Sequence, residues 1–75
     1  MAIKQFEYKK HHVRIGADNP DVKNEPWKKW IEIDGVRQVP PDSSEGYATH
    51  EIALIVAEDS AKQMIDAGQF LKSSD

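Results

Sequence analysis

The sequence predicts a small α+β domain: a mostly antiparallel β-sheet of four to five strands, with one C-terminal α-helix packed on one face. Three observations carry this. β-branched and aromatic residues dominate short runs in the first forty residues. An Asp34-Gly35 pair sits between two alternating runs. An apolar stripe at helical spacing occurs only near the end, closed by Gly68.

The first strand is read from Ile3 to Tyr8 ("IKQFEY") and the second from His12 to Ile15 ("HVRI"). On one continuous strand Phe6 and Tyr8 would face one side and Val13 and Ile15 the other, because side chains alternate. The chain must therefore turn or bulge within Lys9–His12, which places the charged cluster at a hairpin tip. That segment holds no Gly or Asn, so a longer loop or a bulge is expected rather than a tight primed turn. Gly16 to Pro26 ("GADNPDVKNEP") has the composition of a connector. Its acidic residues lack the central Gly and the terminal Glu of a calcium loop.

"WIEIDGVRQV" (Trp30–Val39) is the clearest local signal. With Asp34-Gly35 as the turn, Ile33 faces Val36, Glu32 faces Arg37, Ile31 faces Gln38 and Trp30 faces Val39. Pro40-Pro41 ends that strand, and "DSSEG" reads as a flexible link. "HEIALIV" (His50–Val56) reads as a fifth strand, apolar on both sides and therefore interior to the sheet. A helix across Tyr47–Ala67 is disfavoured because polar Asp59 and Ser60 fall where the stripe would need apolar residues. The helix is then a short one, "AEDSAKQMIDAG", with Glu58 and Asp59 at its positive end and Ala61, Met64 and Ile65 as its apolar stripe.

Seventy-five residues define one domain, read as residues 1–72 with a flexible tail at 73–75. No cysteine is present, which excludes disulfides and thiolate zinc sites. The longest apolar run, Ile52–Ala57, is too short to span a bilayer, so a cytoplasmic protein with no membrane contact is expected. The net charge of −3 is uneven. Residues 1–40 hold eight Lys and Arg against six Asp and Glu, whereas residues 41–75 hold two against seven.

A short helix covers only part of a five-stranded sheet. The other face is expected to carry Trp30, Val39, Ala53 and Ile55 as an apolar surface for a protein partner or a second copy of the chain, unless the 16–28 loop or the C-terminal tail folds over it. The alternative surface is the basic hairpin, Lys9, Lys10, His11, His12 and Arg14, contacting nucleic-acid phosphates. No helix-turn-helix, RNP-like or zinc-finger pattern accompanies it. "EPWKKW" also interleaves Trp27 and Trp30 with lysines, a pattern that can stack bases; Trp27 is expected in the core. Adjacent His11 and His12 point to opposite sides of an extended chain, and "HE" at His50 lacks the second histidine of a zincin, so no metal is expected. No nucleophile elbow and no phosphate-binding glycine loop appear, so neither catalysis nor a cofactor is expected.

Overall fold

The tip of the first hairpin is a two-residue turn. β1 (Ala2–Tyr8) and β2 (His11–Asp18) pair antiparallel without a break from Ala2↔Ala17 to Tyr8↔His11. Lys9 and Lys10 bridge them at φ 49° and 71°, the left-handed geometry of a primed turn. The hairpin is where the side-chain pattern requires it, but the expected longer loop or bulge is absent. Two lysines adopt left-handed backbone that usually calls for Gly or Asn, at a cost of roughly 1–2 kcal/mol each. Contacts beyond the turn offset part of that cost. Lys9 forms an ion pair with Asp66 at the end of the helix, and Tyr8 Oη donates to both Asp66 oxygens at 3.0 Å.

The computed structural model describes residues 2–18, 26–40 and 45–72. β3 (Trp27–Ile33), β4 (Val36–Gln38) and β5 (Gly46–Tyr47) complete a five-stranded antiparallel sheet. Its order is β1-β2-β3-β4, with β5 pairing the start of β3. The Asp34-Gly35 turn and its register are as the sequence reads: Ile33↔Val36, Glu32↔Arg37 and Ile31↔Gln38. Both turn residues have positive φ. The strand ends at Gln38, before the predicted Trp30–Val39 pair forms. The greater part of the Gly16–Pro26 connector, much of the "DSSEG" link and the 73–75 tail fall outside the described residues.

The predicted fifth strand is not a strand. His50–Val56 is the first half of α1 (His50–Ala67), a single helix of 18 residues. Its start is fixed by Thr49, whose side chain accepts from the Ile52 N–H, and its end by Gly68 at φ 67°. Polar Asp59 and Ser60 do not break it, because the buried stripe runs along every fourth residue: Ala53, Ala57, Ala61 and Ile65. Glu58 and Asp59 consequently sit mid-helix rather than at its positive end. Glu58 pairs with Lys4 and Lys62, and Gln63 donates to Asp59. The only acid in the first turn is Glu51.

Three alanines along the stripe let the helix lie close against β2 and β3. Val13, Ile15, Ala17, Ile31 and Ile33 are fully buried beneath it. Phe6, Tyr8, Leu54, Met64 and Phe70 close the sides of this core. Lys29 is on the helix side as well, buried, with Nζ donating to Tyr47 Oη at 3.0 Å. The chain after Gly68 is held at the β4 edge by Gln38, whose amide donates to the Leu71 carbonyl (2.8 Å) and accepts from the Leu71 N–H (2.7 Å).

Replacing Lys10 by Gly removes the left-handed penalty at a side chain with no ion pair among the described residues. Lys10→Gly is expected to raise stability by up to about 1 kcal/mol, after the extra chain entropy of Gly is subtracted. Urea denaturation of both proteins measures this. A lower midpoint for the variant would show that the lysine is not strained.

Candidate functional site

The sheet face turned away from α1 is built by the second set of alternating residues: His12, Arg14 and Gly16 from β2, Lys28, Trp30 and Glu32 from β3, and Arg37 from β4. Trp30 is at its centre, directly across from Gly16. A Cβ at position 16 would stand 2.3 Å from the indole ring, so the ring lies flat on the β2 backbone in space that only Gly leaves open. Arg37 places its guanidinium 4.7 Å from the ring centroid and Arg14 5.9 Å. Each such contact contributes about 0.5–1 kcal/mol at an exposed site.

Glu32 is shared between the two arginines, with Oε2 3.8 Å from Arg14 Nη1 and 4.0 Å from Arg37 Nη2. Neither distance is a hydrogen bond. Arg14 Nε is buried and has no hydrogen-bond partner among the described residues. The cluster is thus an aromatic ring flanked by two cations that share one loosely held carboxylate, with planar donors left over. Guanidinium groups in this state suit carboxylate or phosphate ligands.

The structure separates the residues that the sequence groups together. Trp30 is on the open face and Val39, 72% exposed, follows β4. Ala53 and Ile55 are on the helix instead: Ala53 is fully buried against the sheet, and Ile55 is 70% exposed on the helix's outer side. The expected four-residue sheet patch therefore does not exist as one surface, because the segment read as an interior strand is helical. Trp27 and Trp30 likewise point to opposite faces of β3. Trp27 is partly buried, edge-on to His50 at 5.3 Å between centroids. Lys28 and Lys29 divide between the two faces in the same way, so "EPWKKW" does not form one aromatic-lysine strip.

The basic hairpin is largely committed internally. Lys9 pairs with Asp66 and Arg14 faces Glu32. His11 Nδ1 donates to Asp34 Oδ2 at 2.7 Å, and the His12 N–H donates to Asp34 Oδ1 at 2.9 Å. The His11 ring also meets Phe70 edge-on at 5.0 Å. Asp34 thereby ties the two hairpin turns together, with its own N–H donating to the His12 carbonyl at 2.8 Å. His12 turns its ring the other way, with Nε2 3.4 Å from Gln5 Oε1 on the open face. Among the described residues no three His, Asp or Glu side chains converge as metal ligands.

An open groove of about 670 Å³ separates the end of β4 from the second half of α1. Val39, Pro40, Met64, Phe70 and Leu71 supply apolar lining, with uncharged Gln38 and Gln63 among them. No resemblance to characterised proteins accompanies these features: no family model, curated protein or solved structure matches the chain.

Sequence reading found Trp30 and placed Glu32 and Arg37 on its face, but singled out neither Arg37 nor Gly16. The available signal was the cross-strand register: a Gly opposite a Trp marks a ring lying on backbone.

Two outcomes test this geometry. Gly16→Ala is expected to lift the indole off β2, lower stability by about 1–3 kcal/mol and shift Trp fluorescence. Unchanged emission and unfolding would refute the stacked arrangement.

The second concerns acid. Hydrogen bonds from His11 and then the His12 N–H hold the Asp34 carboxyl below its ordinary value. Lys9, and after it Tyr8, does the same for Asp66; Lys4, followed by Lys62, does so for Glu58. A depressed folded-state pKa adds stability that is fully present above the unfolded value, 3.8 for Asp and 4.5 for Glu. It is lost as pH falls through the lower folded value. The urea midpoint is therefore expected to fall on acidification below about pH 4.5, and less steeply in Asp34→Asn. Identical acid slopes would remove Asp34 as a contributor. Because these pairs are exposed, added salt is expected to shrink the effect.

Proposed function

We propose that this protein is a small non-catalytic interaction module, working in the cytoplasm, that binds a protein partner through the open sheet face. One observation carries this reading: Trp30 lies flat over Gly16 between Arg14 and Arg37, on the face that the helix leaves uncovered. Trp and Arg dominate binding hot spots because they combine large contact area with directional donors. The fitting partner surface presents a carboxylate toward the arginines and an apolar or planar group toward the ring. Glu32 keeps the two guanidiniums in place until a better-aligned carboxylate bonds to them.

A nucleic-acid ligand is the second reading, and the observation that favours it is the set of cations around Trp30: Arg14, Lys28 and Arg37 share its face. It draws little from Lys9 or His11, whose side chains are engaged by Asp66 and Asp34; of His12 only the backbone N–H is so engaged, and its ring lies on the open face beside Gln5. Glu7, Asp18 and Glu32 also lie on the open side and would repel phosphate.

The test compares folded variants in quantitative affinity capture. Partners of the wild-type protein are expected to be lost with Trp30→Ala and weakened at least tenfold with Arg37→Ala (about 1.4 kcal/mol). Ile55→Ala on the helix is expected to retain them. Equal capture by Trp30→Ala would refute the reading. Capture replaced by steeply salt-sensitive DNA or RNA retardation would establish the second one.

A further inference from the structure

We infer that two copies of this chain pair through their β1 edges, antiparallel and centred on Gln5, to make one continuous sheet. The inference rests on the strand edge and is independent of the role assigned to the Trp30 face.

The two edges of the sheet differ. One consists of β4, three residues long and followed by Val39-Pro40, and β5, two residues long. Short strands and a proline blunt such an edge against pairing. The other is β1, seven residues long, with no proline, no bulge and an unbroken register with β2. Among the described residues no strand pairs with its outer side. A long regular edge with a row of unused N–H and C=O groups is a template for another strand.

The turn at Lys9-Lys10 fixes which groups point outward. A two-residue turn makes Tyr8 and His11 the hydrogen-bonded closing pair, so Tyr8, Phe6 and Lys4 spend their backbone groups on β2. Ile3, Gln5 and Glu7 direct theirs to the open edge. In an antiparallel pair related by a two-fold axis at Gln5, Gln5 meets Gln5 and Ile3 meets Glu7 of the second copy. All three outward residues then exchange both backbone bonds with a residue that also points outward.

The side chains select the same register. It overlaps the whole of β1, pairing Ala2 with Tyr8, and it sets Lys4 opposite Phe6, across which a cation–π contact forms. Within one chain Lys4 already reaches to 6.0 Å from the Phe6 ring. Moving the axis to Lys4 would put two lysines face to face. Moving it to Phe6 would leave Ile3, 46% exposed, without an opposing residue. Centred on Gln5, no like charges oppose each other.

Sedimentation equilibrium from micromolar to millimolar chain is the test, with three variants. The parent protein is expected to show a reversible monomer–dimer equilibrium. Gln5→Pro removes an outward N–H without costing β1 a bond to β2, and is expected to stay folded by circular dichroism and be monomeric. Ile3→Lys puts a lysine opposite Glu7 twice in each dimer and is expected to tighten it roughly 2- to 30-fold; Ile3→Glu is expected to loosen it comparably. A parent that remains monomeric at millimolar concentration overturns the inference. So does a dimer on which Ile3→Lys and Ile3→Glu act alike, whether or not Gln5→Pro folds. A dimer abolished by Trp30→Ala but indifferent to the Ile3 pair would assign self-association to the Trp30 face instead.

Discussion

The close approach of α1 to the sheet is the constraint on which the rest depends. A helix whose buried stripe is Ala53, Ala57 and Ala61 before it reaches Ile65 can settle near the strand backbones. Val13, Ile15, Ile31 and Ile33 then supply the bulk of the core from the sheet side. Large residues on one partner and small ones on the other interdigitate without cavities, and a chain of 75 residues has little other apolar area with which to balance its conformational entropy. Because the helix is long and lies over β2 and β3, it fixes one face of the sheet as core. The opposite face is left mostly to polar and aromatic residues, with Ile3 at its β1 flank.

That same stripe explains what the sequence disclosed and what it hid. The hairpin at Asp34-Gly35 was legible because both positive-φ positions are occupied by residues that tolerate them, and its register followed directly. The first hairpin was legible only as a necessity: Phe6 and Val13 had to share a face, and they pair directly. Its turn type was not legible, because Lys9 and Lys10 are poor left-handed residues, and the turn is held through Tyr8 and Lys9 by Asp66, over fifty residues away. "HEIALIV" misled because alanine carries almost no hydrophobic signal. The true stripe of alanines was outweighed by Ile52, Ile55 and Val56, which lie off it, and Asp59 and Ser60 were weighed against a stripe they never joined. That single error moved Ala53 into the core and Ile55 onto the helix surface, and with them half of the expected binding patch.

Charge tells a related story at longer range. The basic first half and acidic second half suggest two surfaces of opposite sign, but the fold brings them together. Lys4 meets Glu58, and Lys9 meets Asp66, so the acidic helix neutralises much of the basic hairpin. On the open face, Arg14 and Arg37 have an acidic neighbour only at long distance and from the sheet itself, Glu32, which leaves their guanidiniums able to take a ligand. Local charge density on the page, highest in "YKKHHVRIG", therefore pointed in part at residues already employed in holding turns: Tyr8, Lys9 and His11.

The Trp30 face and the β1 edge are linked by the sheet's own geometry. Both are consequences of a helix that protects one face and leaves β1 as a flank with five consecutive residues, Ile3 to Glu7, in regular alternation. If two β1 strands join about Gln5, the two open faces become one surface, because a two-fold axis perpendicular to the sheet keeps like faces on the same side. Two Trp30 clusters would then be presented side by side, and a partner with a repeated acidic motif would gain from binding both at once without any new contact being made. Edge pairing alone buries little apolar area and is correspondingly weak. Its effect on function would come through that geometric doubling more than through the stability of the dimer.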